Sequence, residues 1–448
     1  MKIDRDLKMG RALASIPVPE LSEGYYTRLI ATLEQERTTP SPTLRRRVLR
    51  VGLVAAAVAA VVTVAVVLFG LPGVHDSGPQ ASLAAQVLAK MTNSLGTIRT
   101  FTADDIGVDY QNGDSPVTTR SRVYLTASGD GRVEDEHGKW AVVHSAALGT
   151  QWSLERAEGR LVARQVSTGL AAGSVFSNPG DSSNLFMGAG YGTALRALLA
   201  AHQGGMDVHT GTLDGRPTWT VTFADSAKNQ EIRLIVDQQS GLVFGSSWRD
   251  NGRLMWEHHV ENVSINESLD PALFRPPAAS LSPQGGAAPA RNDLGFKRVS
   301  LGDVKGVVGY APLVPARAPD GFALADVTAS ARSDGGQNQP GHLPLVSMVY
   351  RRGLGSFTVA LMPEGEVSGL SDFAGGAFTA GDLSQSLTLK GGAMSGSRAD
   401  VFIGLWAAVA QVYVHSGKVP VDVVIRGDLT RDELVAVAES LQAYGGGN

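Results

Sequence analysis

The chain contains no cysteine among its 448 residues. That absence excludes disulfides, thiolate metal sites, a cysteine nucleophile and lipid attachment through an N-terminal cysteine. Charged residues make up 18% of the chain and the formal net charge is −4. Because nucleic-acid binding needs a clustered basic face, this acidic chain with scattered charges is expected to have no nucleic-acid partner. Its fold must be held together by burial alone.

Motifs that mark common catalytic, metal and cofactor sites are also missing. The nine histidines are dispersed and no H-E-x-x-H motif occurs. His258 and His259 are adjacent in a predicted strand, where neighbouring side chains point to opposite faces. No serine lies in a G-x-S-x-G elbow, and the glycines at 188–192 lack the strand and spacing of a dinucleotide-binding loop. We therefore expect no enzyme activity, no cofactor and no metal site.

One long apolar run is present, from Val51 to Val74, and it carries no charge. A helix of about 20 residues crosses the hydrocarbon core of a bilayer, so this run is long enough. Four arginines lie between 45 and 50, whereas the next Lys or Arg after the run is Lys90. The positive-inside rule then predicts a transmembrane helix at 48–74, with a cytoplasmic N-terminus and extracytoplasmic C-terminal domains. A cleaved signal peptide is the alternative, although its apolar region is usually only about 7–15 residues long.

Residues 1–47 are predicted to form a cytoplasmic segment with one amphipathic helix. Residues 1–50 carry ten Lys and Arg against six Asp and Glu, a net of +4, which leaves −8 for the remainder. Apolar residues between Tyr25 and Leu33 form one stripe of that helix. Because a lone helix of this length is marginal in water, it needs a protein partner or the inner membrane leaflet. This outline resembles membrane-bound anti-sigma factors, without their zinc motif, and leaves a sigma factor open as a cytoplasmic partner.

Residues 76–277 are predicted to form the first outer domain, which is rich in β-strands. Helices are predicted at 82–95 and 193–202, with hairpin turns at regular spacing between the strands. The strand at 216–223 alternates between threonines and large apolar residues, and the next two strands continue its apolar face. The residues predicted to line a ligand groove on this face are Tyr124, Trp219, Val221, Phe223, Ile232, Leu234, Phe244 and Trp248. The alternative is that the sheet buries this face under its two helices and binds nothing.

Three runs in this domain resemble the closing half of lipoprotein-carrier-like domains. They read LDGRPTWTVTF, IRLIVDQQSGLVFGSSW and VENVSINESLDPALFRPP. The superfamily includes the lipoprotein carrier LolA and the sigma-E regulators RseB and MucB. The resemblance covers about 200 residues. It implies a twisted antiparallel β half-barrel covered by helices, and ligands that are lipid-modified or that signal membrane stress.

Residues 278–293 are predicted to be a flexible linker, because they are rich in Ala, Gly and Pro. Residues 294–448 are predicted to form a smaller α+β domain. Its last helix begins with a capping box from Thr430 to Glu433. The runs VPARAPDGF and VDVVIRGDLTRDELVAVAESL resemble a small domain of extracytoplasmic portions of membrane-bound bacterial proteins. That resemblance implies an extracytoplasmic location and does not imply a particular reaction or mechanism.

Together these patterns predict an α+β protein with a cytoplasmic helix, one transmembrane helix, an antiparallel half-barrel with covering helices and a smaller α+β domain. We expect a membrane-anchored extracytoplasmic sensor or regulatory protein that binds a lipid, lipoprotein or envelope protein. The expected partners are the membrane bilayer, such a ligand, and a cytoplasmic regulator such as a sigma factor. A membrane-tethered lipid or lipoprotein carrier is the first alternative. An extracytoplasmic hydrolase is the second, and no convergent polar cluster in the sequence favours it.

Overall fold

The structure is a computed structural model of the chain. It describes residues 79–110, 115–157, 159–172, 184–201, 206–225, 229–276, 289–331, 344–364, 383–404, 409–415 and 419–445. The predicted cytoplasmic segment, 1–47, and the predicted transmembrane helix, 48–74, lie outside these residues.

Helices in the described ranges are too short or too polar to cross a bilayer. The two longest, Pro79–Leu95 and Asn184–Ala200, have 17 residues each. A helix of that length rises about 26 Å, whereas the hydrocarbon core is about 30 Å thick. This finding contradicts the predicted localisation as a single-pass cell-membrane protein with a cytoplasmic N-terminus and extracytoplasmic C-terminal domains. The apolar run that prompted the prediction, Val51–Val74, lies outside the described residues.

The described residues form four α-helices, twenty-two strands and one short 3-10 helix. The helices are α1 (Pro79–Leu95), α2 (Asn184–Ala200), α3 (Val304–Val308) and α4 (Arg431–Glu439), and the 3-10 helix is Pro271–Phe274. The first twelve strands are β1 (Thr100–Asp109), β2 (Val117–Thr126), β3 (Gly131–Asp135), β4 (Trp140–Ser145), β5 (Thr150–Ala157), β6 (Arg160–Thr168), β7 (Met206–Leu213), β8 (Arg216–Asp225), β9 (Gln230–Asp237), β10 (Val243–Asp250), β11 (Arg253–Ile265) and β12 (Ala290–Asp293). The others are β13 (Lys297–Arg298), β14 (Leu313–Pro315), β15 (Ala323–Ser330), β16 (Leu345–Arg352), β17 (Gly355–Pro363), β18 (Leu383–Thr388), β19 (Arg398–Gly404), β20 (Val409–His415), β21 (Val421–Gly427) and β22 (Leu441–Ala443).

The first sheet joins twelve strands in the order β12-β6-β5-β4-β3-β2-β1-β11-β10-β9-β8-β7. Strands β1 and β11 pair at its centre, and a series of antiparallel hairpins runs outward from each of them. The sheet is mixed because β12 lies parallel to β6 at one edge. With β12 and β7 as free edges, the described strands do not close into a barrel.

Strand β12 lies within the last residues of the predicted linker, 278–293. Ala290–Asp293 pairs in parallel with Gln165–Thr168, so backbone hydrogen bonds fix this piece to the first sheet. The composition of the stretch indicated flexibility because it offers few large side chains, but an edge strand needs only free backbone groups to pair. Residues 277–288 lie outside the described ranges.

The second sheet joins eight strands in the order β13-β15-β16-β17-β21-β20-β19-β18, and β14 pairs separately with β22. Helix α4 follows β21 and packs against β20 and β21. Its predicted capping box is confirmed: the Glu433 backbone N–H donates to Thr430 Oγ1 at 3.2 Å, and the Thr430 backbone N–H donates to Glu433 Oε2 at 2.7 Å. Thus mostly β-structure with few helices is confirmed for the described part of the chain.

Helix α2 lies between the two sheets and joins their cores. Its residues Ala194–Leu199 are all at most 3% exposed. The helix packs against β10 of the first sheet and against β19 and β20 of the second. One cluster of buried side chains therefore continues from Leu234 of the first sheet through Leu198 of α2 to Val412 of the second. Because a shared core cannot open on one side only, we expect the two sheets to unfold together.

The substitution Leu198→Ala tests this shared core. Removing a buried leucine side chain from a well-packed site costs about 2–5 kcal/mol of unfolding free energy. Because Leu198 contributes to a core that includes both sheets, we expect amide hydrogen exchange to accelerate in β9 and in β20 alike. Arg233→Ala, at an exposed position of β9, is the control and should change stability by no more than about 0.5 kcal/mol. Acceleration confined to the first sheet would contradict the shared core.

Candidate functional site

The structure buries five of the eight predicted groove residues, and four of these five belong to one core. Trp219, Val221, Ile232 and Leu234 are each at most 7% exposed and belong to the core shared with α1 and α2. Val87 and Met91 are the α1 members of the same cluster. In this structure the chain's own helices therefore fill the apolar face that strand alternation identified.

The other predicted groove residues divide between several environments. Phe223 and Trp248 are partly buried against the same core. Phe244 belongs to a separate apolar cluster with Phe101 and Val123, because the register shift between Val243 and Gly245 breaks the alternation along β10. The groove itself stays a prediction, since no feature of the structure tests whether these residues contact a ligand.

Tyr124 is only partly buried and lies in a polar environment. Its hydroxyl donates to Glu134 Oε1 at 3.0 Å, and the guanidinium of Arg122 lies 5.8 Å from its ring centre. Burial raises the pKa of Tyr124, and the neighbouring Glu134 carboxylate raises it further. Tyr124 therefore takes part in a polar surface network.

A cleft of about 450 Å³ lies where the turn between β16 and β17 meets the first sheet. We call it the junction cleft. Its lining residues are Gly96, Arg99, Ala127, Gly321, Ala323, Arg351, Arg352 and Gly353. Three belong to the end of α1 and the neighbouring turns of the first sheet, and five belong to the second sheet and its entry loop. The cleft is thus built from both halves of the chain.

The turn between β16 and β17 of the second sheet contacts the first sheet beside the junction cleft. The Leu354 backbone N–H donates to the Ile98 carbonyl oxygen at 2.9 Å. The Leu354 side chain packs against the apolar cluster around Phe101 and Phe244. A turn of the second sheet is therefore anchored by a backbone hydrogen bond and an apolar contact beside the cleft.

Arg352 connects three parts of the chain from within the cleft lining. Its Nη2 donates to the Thr92 carbonyl oxygen of α1 at 2.8 Å, and its Nη1 donates to the Asp320 carbonyl oxygen at 3.0 Å. Its guanidinium also lies 5.0 Å from the ring centre of Phe322. The buried Nε finds no hydrogen-bond acceptor among the described residues. Arg352 therefore holds the end of α1 against the second sheet.

Arg351 lines the same cleft beside the turn that contains Gly129. Gly129 has a φ of +94°, a conformation that favours glycine, and a Cβ there would displace the Arg351 guanidinium. Burial lowers the pKa of Arg351, while the charges of Asp326 and Asp130 oppose that shift. The guanidinium makes no hydrogen bond or salt bridge with any residue in the described ranges.

A second polar cluster lies where α2 meets α4, within electrostatic range of Arg352. Arg196 is only 1% exposed, and its Nη1 lies 3.5 Å from Glu433 Oε2. Thr193 donates its hydroxyl to Asp428 Oδ1 at 2.5 Å, and the Ser356 backbone N–H donates to Asp428 Oδ2 at 2.8 Å. Burial lowers the pKa of Arg196 and raises the pKa of Asp428, while their mutual attraction opposes both shifts. This cluster places a cation of α2 among carboxylates of the second half.

A His–Asp pair is buried at the centre of the first sheet. His258 Nε2 contacts Asp105 Oδ1, and both residues are at most 5% exposed. Ser121 donates its hydroxyl to the other Asp105 oxygen at 3.5 Å. The serine and the histidine thus contact the same carboxylate, so this arrangement is not the serine–histidine–aspartate relay of hydrolases. Within the described ranges, no group of three or more His, Cys, Asp or Glu residues is placed to hold a metal ion.

Sequence reasoning missed both the cleft and the buried cluster. A signal for the cluster was present, since Arg196 is the only charged residue of the helical run TALRALLA. A charge on a helix that is apolar on all sides indicates a buried ion pair. No comparable signal marks the cleft, because its lining comes from segments more than two hundred residues apart.

The chain matches no protein-family model and no curated protein sequence. Among solved structures it is similar to the MucA/MucB complex of Pseudomonas aeruginosa, at 14% identity over 80% of this chain and 98% of that chain, with a TM-score of 0.26. It is similar to a LolA superfamily protein, NE2245 of Nitrosomonas europaea, at 10% identity over 43% and 97%, with a TM-score of 0.20. An uncharacterized conserved protein of Thermus thermophilus aligns at 12% identity over 47% and 99%, with a TM-score of 0.28. The superfamily that the sequence resembles is represented here, but TM-scores this low carry no argument about this chain.

His144, on β4 near Arg351, gives this region a predicted pH dependence. Burial, opposed by Asp130 and assisted by the Arg351 charge, lowers the pKa of His144 to about 4. The unfolded chain therefore takes up the proton first, and stability is lost as the pH falls from about 6.5 towards 4. For one histidine shifted this far the loss is about 3 kcal/mol.

We expect His144→Leu to remove this loss, so that the variant gains stability relative to the parent chain as the pH falls from 6.5 to 4. Urea unfolding at closely spaced pH values measures the difference. His137→Leu is the control, because that side chain is 67% exposed. Equal pH slopes for the parent chain and His144→Leu would show that His144 is not held neutral.

Proposed function

We propose that the chain is a non-enzymatic regulatory binding protein whose ligand occupies the junction cleft. The observation that carries this proposal is the position of the cleft, which is lined from both halves of the chain at the place where their turns interlock. Its volume of about 450 Å³ lies within the range of about 300–1,000 Å³ that is usual for small-molecule sites. A ligand here contacts both halves at once.

The proposed ligand is a lipid or lipid-modified molecule that places its polar headgroup in the cleft. Arginines and small residues form the lining, which suits a polar group better than an acyl chain. The resemblance of the sequence to lipoprotein-carrier-like domains supports a lipid-modified ligand. The acyl part would remain outside the cleft, against the surface of the protein.

A sensor accounts for the contacts better than a carrier does. Arg352 lines the cleft and is hydrogen-bonded to both the Thr92 and the Asp320 carbonyl groups. A ligand that attracts this guanidinium therefore alters the hold of the second sheet on α1. A carrier would instead need an open apolar groove, and the predicted groove residues Trp219 and Leu234 are buried under helices.

Native mass spectrometry of the full-length chain, purified without delipidation, tests the proposal. We expect an extra mass of lipid size on the parent chain and its loss in Ala323→Trp, because the indole fills the cleft. Ala224→Trp is the matched control, since Ala224 is likewise exposed and lies on β8, outside the cleft lining. The control should keep the extra mass.

Two results would contradict the proposal. One is a parent chain without any bound mass in every preparation. The other is an extra mass that persists in a folded Ala323→Trp variant, since the ligand would then bind elsewhere.

A further inference from the structure

We infer that the junction cleft binds an oxyanion, with a phosphate group as the best match, and that Arg351 and Arg99 are its ligand-binding residues. This inference rests on the proposed function, because it names the chemistry of the ligand at the same cleft. Two observations support it. The cleft lining contains three arginines and no carboxylate, and the half-buried guanidinium of Arg351 has no hydrogen-bond acceptor among the described residues.

The cleft lining contains three guanidinium groups and no carboxylate. Arg99 is exposed and its side chain makes no salt bridge with a residue in the described ranges. Arg352 donates to two backbone carbonyl groups, which are neutral. Three positive charges that line one cleft repel one another, so an anion between them is stabilised by all three.

The carboxylates nearest to Arg351 are already occupied. Asp326 accepts two hydrogen bonds of 2.7 Å each from Arg298, in a bidentate pair. Asp130 accepts from the Ser128 hydroxyl at 2.7 Å and from the Ala146 backbone N–H at 2.9 Å. Both carboxylates still attract Arg351 through space, but neither accepts a hydrogen bond from it, so the Arg351 guanidinium keeps its donors for another acceptor.

The Arg351 guanidinium is half-buried, and its nitrogens are not among the fully buried unpaired atoms, so they remain accessible to a ligand. Burial lowers the pKa of Arg351, in keeping with a partly desolvated cation. The planar guanidinium fork matches the oxygens of phosphate in a bidentate pair, and such charge-assisted hydrogen bonds are short and strong. A bound oxyanion therefore supplies the hydrogen-bond acceptors that the described residues do not provide for Arg351.

The rest of the lining is made of small residues, three glycines and two alanines. Two of the glycines, Gly96 and Gly321, accommodate the Arg352 side chain, because a Cβ at either position would contact its Cδ. Arg352 is a positioning residue here, since its terminal nitrogens are engaged with Thr92 and Asp320, and it contributes its charge alone.

Isothermal titration of the full-length chain tests the inference, with inorganic pyrophosphate as the first probe. We expect binding to the parent chain, a loss of at least about tenfold in affinity for Arg351→Gln, and a smaller loss for Arg351→Lys, which keeps the charge but not the fork. Arg233→Gln is the matched control, because Arg233 is exposed on β9 and outside the cleft lining. Arg99→Gln is the second cleft variant and is safe for folding, since Arg99 is exposed.

Vesicles distinguish the source of the phosphate. Binding to phosphatidylglycerol vesicles but not to phosphatidylcholine vesicles, with loss in Arg351→Gln, assigns a lipid headgroup. Binding of pyrophosphate alone, with the same loss, assigns a free phosphate compound. Either result supports the oxyanion site.

Unchanged affinity in both Arg351→Gln and Arg99→Gln would overturn the inference, as would the absence of binding to every phosphate probe. The proposed function is judged separately. If the co-purifying mass is lost in Ala323→Trp but kept in Arg351→Gln, the cleft binds a ligand and the oxyanion assignment is wrong. If the mass is kept in both variants, the cleft is not the ligand site at all.

Discussion

Burial of helix α2 on every side is the constraint on which the rest of the structure depends. Successive helical residues turn by 100°, so the six residues of Ala194–Leu199 cover the whole circumference. All of them are buried. Helix α1, strand β10 of the first sheet, strands β19 and β20 of the second sheet and helix α4 all contact α2. The two sheets therefore share the core around α2, in addition to smaller apolar clusters within each sheet.

The same helix carries the charge that fixes how the second half docks. Arg196 lies among apolar neighbours and needs carboxylates, which Glu433 and Asp428 supply from the second half of the chain. An ion pair in such a place adds little net stability compared with apolar packing, but it penalises every alternative docking that separates the charges. The shared apolar core thus supplies stability, and the Arg196 cluster specifies the docking position. The junction cleft lies at the edge of this interface, where Arg352 extends the polar contacts to α1 and to the surface.

Local patterns in the sequence predicted local structure well. The alternation around Trp219 and Val221 gave β8, and Thr430 with Glu433 gave the start of α4, because both signals depend only on neighbouring residues. Alternation identifies an apolar face but does not tell what covers it. The predicted groove residues Ile232 and Leu234 are consequently core residues in this structure, covered by the chain's own helices. Gly96 and Arg352 line one cleft although they are far apart in sequence, and no periodic pattern connects such positions.

The central claim is that both sheets form one unit, and a single distance across them tests it most directly. The chain has no cysteine, so spin labels at Thr118→Cys on β2 and Ala436→Cys on α4 attach only there. Both positions are exposed. For the full-length chain, pulsed electron spin resonance should give one narrow distance distribution, because the shared core around α2 leaves no freedom between the sheets. A broad or two-peaked distribution would show that the second sheet moves independently, and would contradict the account.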